Sequence, residues 1–127
     1  MATVADALSK LGVTEWVLRG EPTTEAEFNS MFKKVTGSDA NGSAIESSDP
    51  DDFGTDWATV SAKRDELTAA EPMVALRAER DRRIAETDFY ALSDVTMSAE
   101  MEAYRQALRD ITESATSLDD VVWPTKP

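Results

Sequence analysis

Met97-Ser98-Ala99-Glu100-Met101-Glu102-Ala103-Tyr104-Arg105-Gln106-Ala107-Leu108-Arg109-Asp110-Ile111 is the stretch whose reading decides the fold. Its large apolar residues, Met97, Met101, Tyr104, Leu108 and Ile111, follow one another in alternating steps of four and three. That period winds them onto one narrow seam of an α-helix, not onto a strand face. Ser98 stands where an N-cap hydroxyl is wanted. A helix with such a seam needs a surface to lay it against.

The sequence just upstream supplies that surface. Residues 93–96 read as a connector, and Phe89, Tyr90 and Leu92 make an aromatic, apolar knot at a turn. Before them, residues 57–70 have helical spacing, with Trp57, Val60, Arg64 and Leu67 along one side. Pro72 removes an N–H donor and predicts a break or kink. Helix resumes near Met73 and runs toward Thr87, with Leu76 and Ile84 as apolar anchors. Two helices joined by a short connector predict an antiparallel helical hairpin. The chain closes with Val121-Val122-Trp123-Pro124, and a tryptophan so near an end is usually tied down.

Farther out the pattern changes. Residues 2–11 predict a short helix, with Val4, Leu8 and Leu11 at helical spacing and Gly12 as its cap. Residues 13–19 predict a strand around Trp16, Val17 and Leu18, closed by Gly20 and Pro22. Thr24-Glu25-Ala26-Glu27 has the capping-box pattern, and Phe28, Met31, Phe32 and Val35 continue it as a helix ended by Gly37. Lys33 and Lys34 then fall in its last turn, where cations suit the dipole. Residues 38–55 are rich in Ser, Asp, Asn and Gly, with Ile45 and Phe53 as their only large apolar residues. They read as a polar linker or long loop. The organisation predicted is a small α+β N-terminal subdomain (1–37), that linker (38–55) and a helical domain (56–127). The fold class is mainly α, with a small α+β part and a C-terminal antiparallel helical hairpin.

Composition narrows the chemistry. The 127 residues carry 13 Lys+Arg against 25 Asp+Glu, a net charge of −12. Nucleic-acid backbones and anionic membranes would be repelled, so neither is expected as a partner. Histidine and cysteine are both absent. Imidazole bases, thiolate nucleophiles, disulfides and Cys/His zinc sites are therefore impossible. The N-terminus has no signal-peptide pattern, and no apolar run approaches the ~20 residues that span a bilayer. No phosphate-binding glycine loop or Ser-based catalytic motif occurs. The acidic run Ser48-Asp49-Pro50-Asp51-Asp52 lacks the ligand order of a calcium loop. No catalytic residue, metal or cofactor is expected.

Two features stay open at this level. Arg77, Arg80, Arg82 and Arg83 form a cationic cluster in an acidic chain. It reads either as a receptor for a carboxylate-rich partner or as an exposed helix face paired with Glu79, Asp81 and Glu86. Spacing favours the second. Trp16, Trp57 and Trp123 read as core residues more readily than as interface anchors.

The residues from Arg77 to Phe89, an Arg/Asp-rich helix ending in Thr87-Asp88 and an aromatic, resemble the opening of the phage tail assembly chaperone-like family. Phe89 stands where tryptophan is commoner. Tyr104-Arg105-Gln106-Ala107-Leu108-Arg109-Asp110-Ile111 resembles the family's second motif, and Val122-Trp123-Pro124 with Pro127 its closing Trp-Pro signature. The resemblance implies a non-enzymatic helper that binds a tail fibre or baseplate protein in the infected host cytoplasm and assists its assembly. The alternative is a permanent virion subunit, an adaptor or decoration retained in the tail, with homo-oligomerisation open. An enzyme working with carboxylates alone is a third reading. The residues it singles out for partner binding are Arg77, Arg80, Asp81, Asp88, Phe89, Tyr104, Arg105, Arg109, Trp123 and Pro124. Arg80, Asp81, Asp88, Arg105 and Arg109 either lock the hairpin by buried ion pairs or face the partner.

Overall fold

The computed structural model describes residues 1–127 and divides them into two compact units, Met1–Ala69 and Ala70–Pro127. The fold is α-rich and mixed, with four α-helices and one three-stranded antiparallel sheet.

The first unit opens with α1 (Val4–Lys10). Thr3 Oγ1 accepts the Asp6 N–H at 3.1 Å, and the Asp6 carboxylate accepts the Thr3 N–H at 2.8 Å. This reciprocal box satisfies two donors that a helix start leaves orphaned. Strand β1 (Trp16–Leu18) lies where predicted. Helix α2 (Glu25–Met31) starts at the Thr24 cap, whose hydroxyl accepts the Glu27 N–H. The Glu27 carboxylate reaches back one residue farther than in a standard box, to the Thr23 N–H at 3.0 Å.

Helix α2 does not continue to Gly37. It stops at Met31, and Phe32–Ser38 forms β2, the central strand. β2 pairs antiparallel with β1 (Val17 opposite Lys33) and with β3, Ala44–Ser47 (Val35 opposite Glu46). The aromatic and β-branched residues Phe32, Val35 and Thr36 suit a pleated strand. Bonds to two neighbours outweigh one further turn of an isolated helix. The helical spacing misleads here because Phe28 and Phe32 enter one core from two different elements, with ring centroids 5.0 Å apart.

The polar stretch 38–55 carries β3, which the sequence reading did not anticipate, and a 3-10 turn at Pro50–Asp52. Its entry turn is tied by Asp39 Oδ1, which accepts the Asn41 and Ser43 N–H groups at 2.8 and 3.0 Å. Its exit delivers Phe53, 1% exposed, into the core. That core comprises Val4, Ala7 and Leu8 of α1 with Phe28, Phe32, Phe53 and Val60. Phe53 stands edge-on to Phe32 at 4.7 Å, and Trp57 lies 5.7 Å from Phe28.

Helix α3 (Trp57–Ala85) runs through Pro72 without a break. The proline ring holds a φ that already suits a helix, and only the bond to the Thr68 carbonyl is lost. Neighbouring Ala69, Ala70, Glu71 and Met73 are good helix formers. Along its whole length only Val60 and Leu76 are fully buried.

The second unit continues with a 3-10 turn at Asp88–Ala91, α4 (Ala99–Arg109) and a 3-10 turn at Ile111–Glu113. Ser98 caps α4 as expected, its hydroxyl accepting the Met101 N–H at 3.1 Å. The seam of α4 is buried: Met101, Tyr104 and Leu108 form the unit's core, with Ile84, Tyr90, Met97 and Trp123 packed against it. No helix of the chain is long and apolar enough to cross a membrane.

Candidate protein-binding site

Helix α4 aims one charged residue inward. Arg105 shares the buried face with Met101, Tyr104 and Leu108 and is only 7% exposed. Its guanidinium meets the end of α3. Nη1 donates to the Ile84 carbonyl at 3.1 Å and to Thr87 Oγ1 at 2.7 Å, and Nη2 donates to Asp88 Oδ1 at 3.1 Å. Thr87 is fully buried, and its hydroxyl donates in turn to the Ile84 carbonyl at 3.1 Å.

The last carbonyls of a helix have no partner within it and carry the negative end of its dipole. A guanidinium satisfies both needs, because it offers several donors and a permanent positive charge. Asp88 neutralises that charge from the exposed side, and no buried side-chain polar atom is left unsatisfied. The arrangement joins Thr87-Asp88 of the first motif to Arg105 of the second.

The arginine cluster on α3 is mostly engaged within its own helix. Arg82 bonds Glu79 at 2.8 Å and Glu86 at 2.5 Å, and Arg83 bonds Glu79 at 3.0 Å. Arg82, with Arg83, holds the Glu79 carboxyl down to about 2. Arg80 pairs with its neighbour Asp81 at 2.9 Å. Arg77 is exposed and makes no ion pair.

The C-terminal tail is pinned by side chains. The Arg83 guanidinium lies 4.2 Å above the Trp123 ring, a cation–π contact. Lys126 reaches Glu86 at 3.6 Å. The loop before the tail is tied by Asp120, whose carboxylate accepts the Ser117 N–H at 2.9 Å and the Thr116 N–H at 3.1 Å. These bonds, the Ser117 N–H foremost, lower the Asp120 pKa.

The residues singled out from sequence therefore separate into two sets. Arg105 and Tyr104 are buried, and Asp88 and Trp123 hold the unit together with them. Arg77, Asp81, Phe89 and Arg109 are exposed, while Arg80 and Pro124 are half-buried. Phe89 stacks on Tyr90, centroids 4.2 Å apart, and stays 52% exposed. Three surface grooves flank α4. Arg105 and Arg109 line one, and Pro124 lines the other two with Trp123 in one and Tyr104 in the other. Thr87 and Lys126 were missed as contributors, and Arg83 was read only as part of the α3 cluster and not as the residue over Trp123. Only Thr87 had a readable signal, a buried-type hydroxyl directly after an arginine-rich helix and before an aspartate.

The second unit is thus a small helical module closed by an arginine cap and presenting grooves along one helix. Residues 73–127 match the family model described as phage tail assembly chaperone protein. Residues 1–72 lie outside the match. No curated protein and no solved structure matches the chain.

Proposed function

We propose that the chain is a non-catalytic bacteriophage tail protein that binds a tail fibre or baseplate protein and assists its assembly in the infected host cytoplasm. The observation that carries this reading is the family match over residues 73–127, all three sequence motifs lying within or across it. The Arg105 cap supports it, because the cap joins the first of those motifs to the second.

In this reading the end of α3 and α4 work as an antiparallel helical hairpin, the core of the second unit. Arg105, Asp88, Tyr104 and Trp123 hold its shape. Arg77, Arg80, Asp81, Phe89, Arg109 and Pro124 face the partner. Phe89 and Arg77 are the strongest anchors of that set, one an exposed aromatic and the other a guanidinium with no ion pair.

Quantitative mass spectrometry on purified particles and on infected-cell lysate tests the proposal. Abundance in lysate with absence from particles, and co-capture of a fibre or baseplate protein from that lysate, is the expected result. A fixed small copy number in particles replaces the assembly role with that of a permanent virion subunit.

A further inference from the structure

Among the grooves beside α4, one has an electrostatic pattern that reads the same when the helix is reversed. It encloses about 630 Å³ and is lined by Ala91, Ala99, Ala103, Glu102, Arg105 and Arg109, with Met97 and Gln106. Arg105 is committed to the α3 cap. Glu102 and Arg109 are not committed. Both are exposed and neither forms an ion pair, and Arg109 makes only a 3.5 Å hydrogen bond to Gln106. Seven residues separate them, so they sit two turns apart on the same flank of the helix.

An acid at one end of a helix flank and a base at the other is self-complementary under reversal. An identical helix laid antiparallel along this groove puts its Arg109 against Glu102 and its Glu102 against Arg109. That is the rule of a two-fold interface, in which residue i meets j and j meets i. The small side chains Ala99 and Ala103 on the adjoining ridge leave room for the second helix to approach.

We infer that α4 is a self-association surface and that its occupant is a second copy of this chain, paired antiparallel through Glu102 and Arg109. The net charge of −12 on each copy opposes the approach at long range. At physiological salt that repulsion is screened over roughly 8 Å, whereas the two contact pairs act at touching distance. The inference goes beyond the proposed assembly role and assigns Arg109 to a second copy instead of the tail protein; its failure would leave that role, which rests on the family match, standing.

Sedimentation of the full chain over a wide concentration range tests it. The wild type is expected to show reversible dimers. Glu102→Arg and Arg109→Glu each turn two attractive contacts into two repulsive ones and should weaken association by about a hundredfold or more. Both positions are exposed, and circular dichroism should show the helices intact. An equimolar mixture of the two single variants restores complementary pairs and should form heterodimers, and the double variant should again form homodimers. A wild type that stays monomeric throughout, single variants that dimerise like wild type, or a folded mixture that stays monomeric would each overturn the inference.

Discussion

The two units solve the same packing problem by different means. The first encloses an aromatic cluster of Phe28, Phe32 and Phe53 beside α1, with Trp16 and Trp57 at its edge. No charged residue is buried there. The second unit encloses a thinner seam, Met101, Tyr104 and Leu108, and completes it with a buried guanidinium on the end of α3. A core made of apolar area is non-directional and tolerates several packings of similar volume. A core closed by a forked donor on a helix end is directional: Arg105 reaches Ile84, Thr87 and Asp88 together in only one placement of α4 relative to the end of α3. The first unit therefore draws stability from area, and the second draws definition from hydrogen-bond geometry.

The contrast is broken most severely on the apolar side. Phe32→Ala removes a ring packed on three others and should cost about 3–5 kcal/mol. Urea unfolding followed by Trp16 and Trp57 fluorescence, with Trp123 replaced by Phe, reads this unit. A loss below roughly 1 kcal/mol would mean that the core collapses onto the gap and is not closely packed.

Next in size is Arg105→Ala, expected to cost about 2–4 kcal/mol because it removes a buried charged donor shared by the Ile84 carbonyl, the Thr87 hydroxyl and Asp88 and leaves a gap in its place. Arg105→Lys should recover only part, since an ammonium cannot make the forked set. Trp123 fluorescence, in a background where Trp16 and Trp57 are Phe, follows the second unit. Full recovery by lysine would show that charge alone suffices and that the fork is incidental.

A smaller effect belongs to the tail. A double-mutant cycle between Arg83→Met and Trp123→Leu should give a coupling of about 0.5–1 kcal/mol. A coupling near zero would leave Trp123 held by apolar packing alone.

The smallest is electrostatic. The hydrogen bond from Arg82 holds the Glu79 carboxyl down to about 2 in the folded chain, against an ordinary value of 4.5. Its folded pKa is depressed, so its stabilising contribution is present above 4.5 and is lost as pH falls from 4.5 toward 2. Glu79 is half-buried but its main partner Arg82 is exposed, so solvent screens the pair and the loss should be slight and should shrink with added salt. Comparing the acid titration of wild type with Glu79→Gln by circular dichroism isolates it, and identical curves would remove Glu79 from the acid response.

Local signals account for what could be read in advance. The α4 seam, the Ser98 and Thr24 caps and β1 each depend on residues within a few positions of one another. The adjacency of the Arg77–Asp88 and Tyr104–Ile111 regions was expected from the short connector between two helices, while the polar residues that matter in it were singled out only by the resemblance. The lock reading of Arg105 and Asp88 was available, but the hydroxyl between them and the carbonyl beneath it were not. The exposed members of the candidate site could be named, while their separation from the buried ones could not.

By itself the sequence determined the helical character of the C-terminal half, the acidic surface and the exclusion of imidazole and thiol chemistry. Those follow from periodicity and composition, which are properties of a chain before it folds. Tertiary structure alone decided that Phe32 begins a strand, because β2 is stabilised by partners eighteen and eleven residues away, Trp16–Lys34 pairing on one side and Val35–Glu46 on the other. It alone drew Phe53 out of a polar stretch into the core, since burial depends on what surrounds a residue in space. It also decided which arginine of an arginine-rich protein became structural. Arg105 alone among the arginines is buried, against the end of α3, and burial is set by the fold.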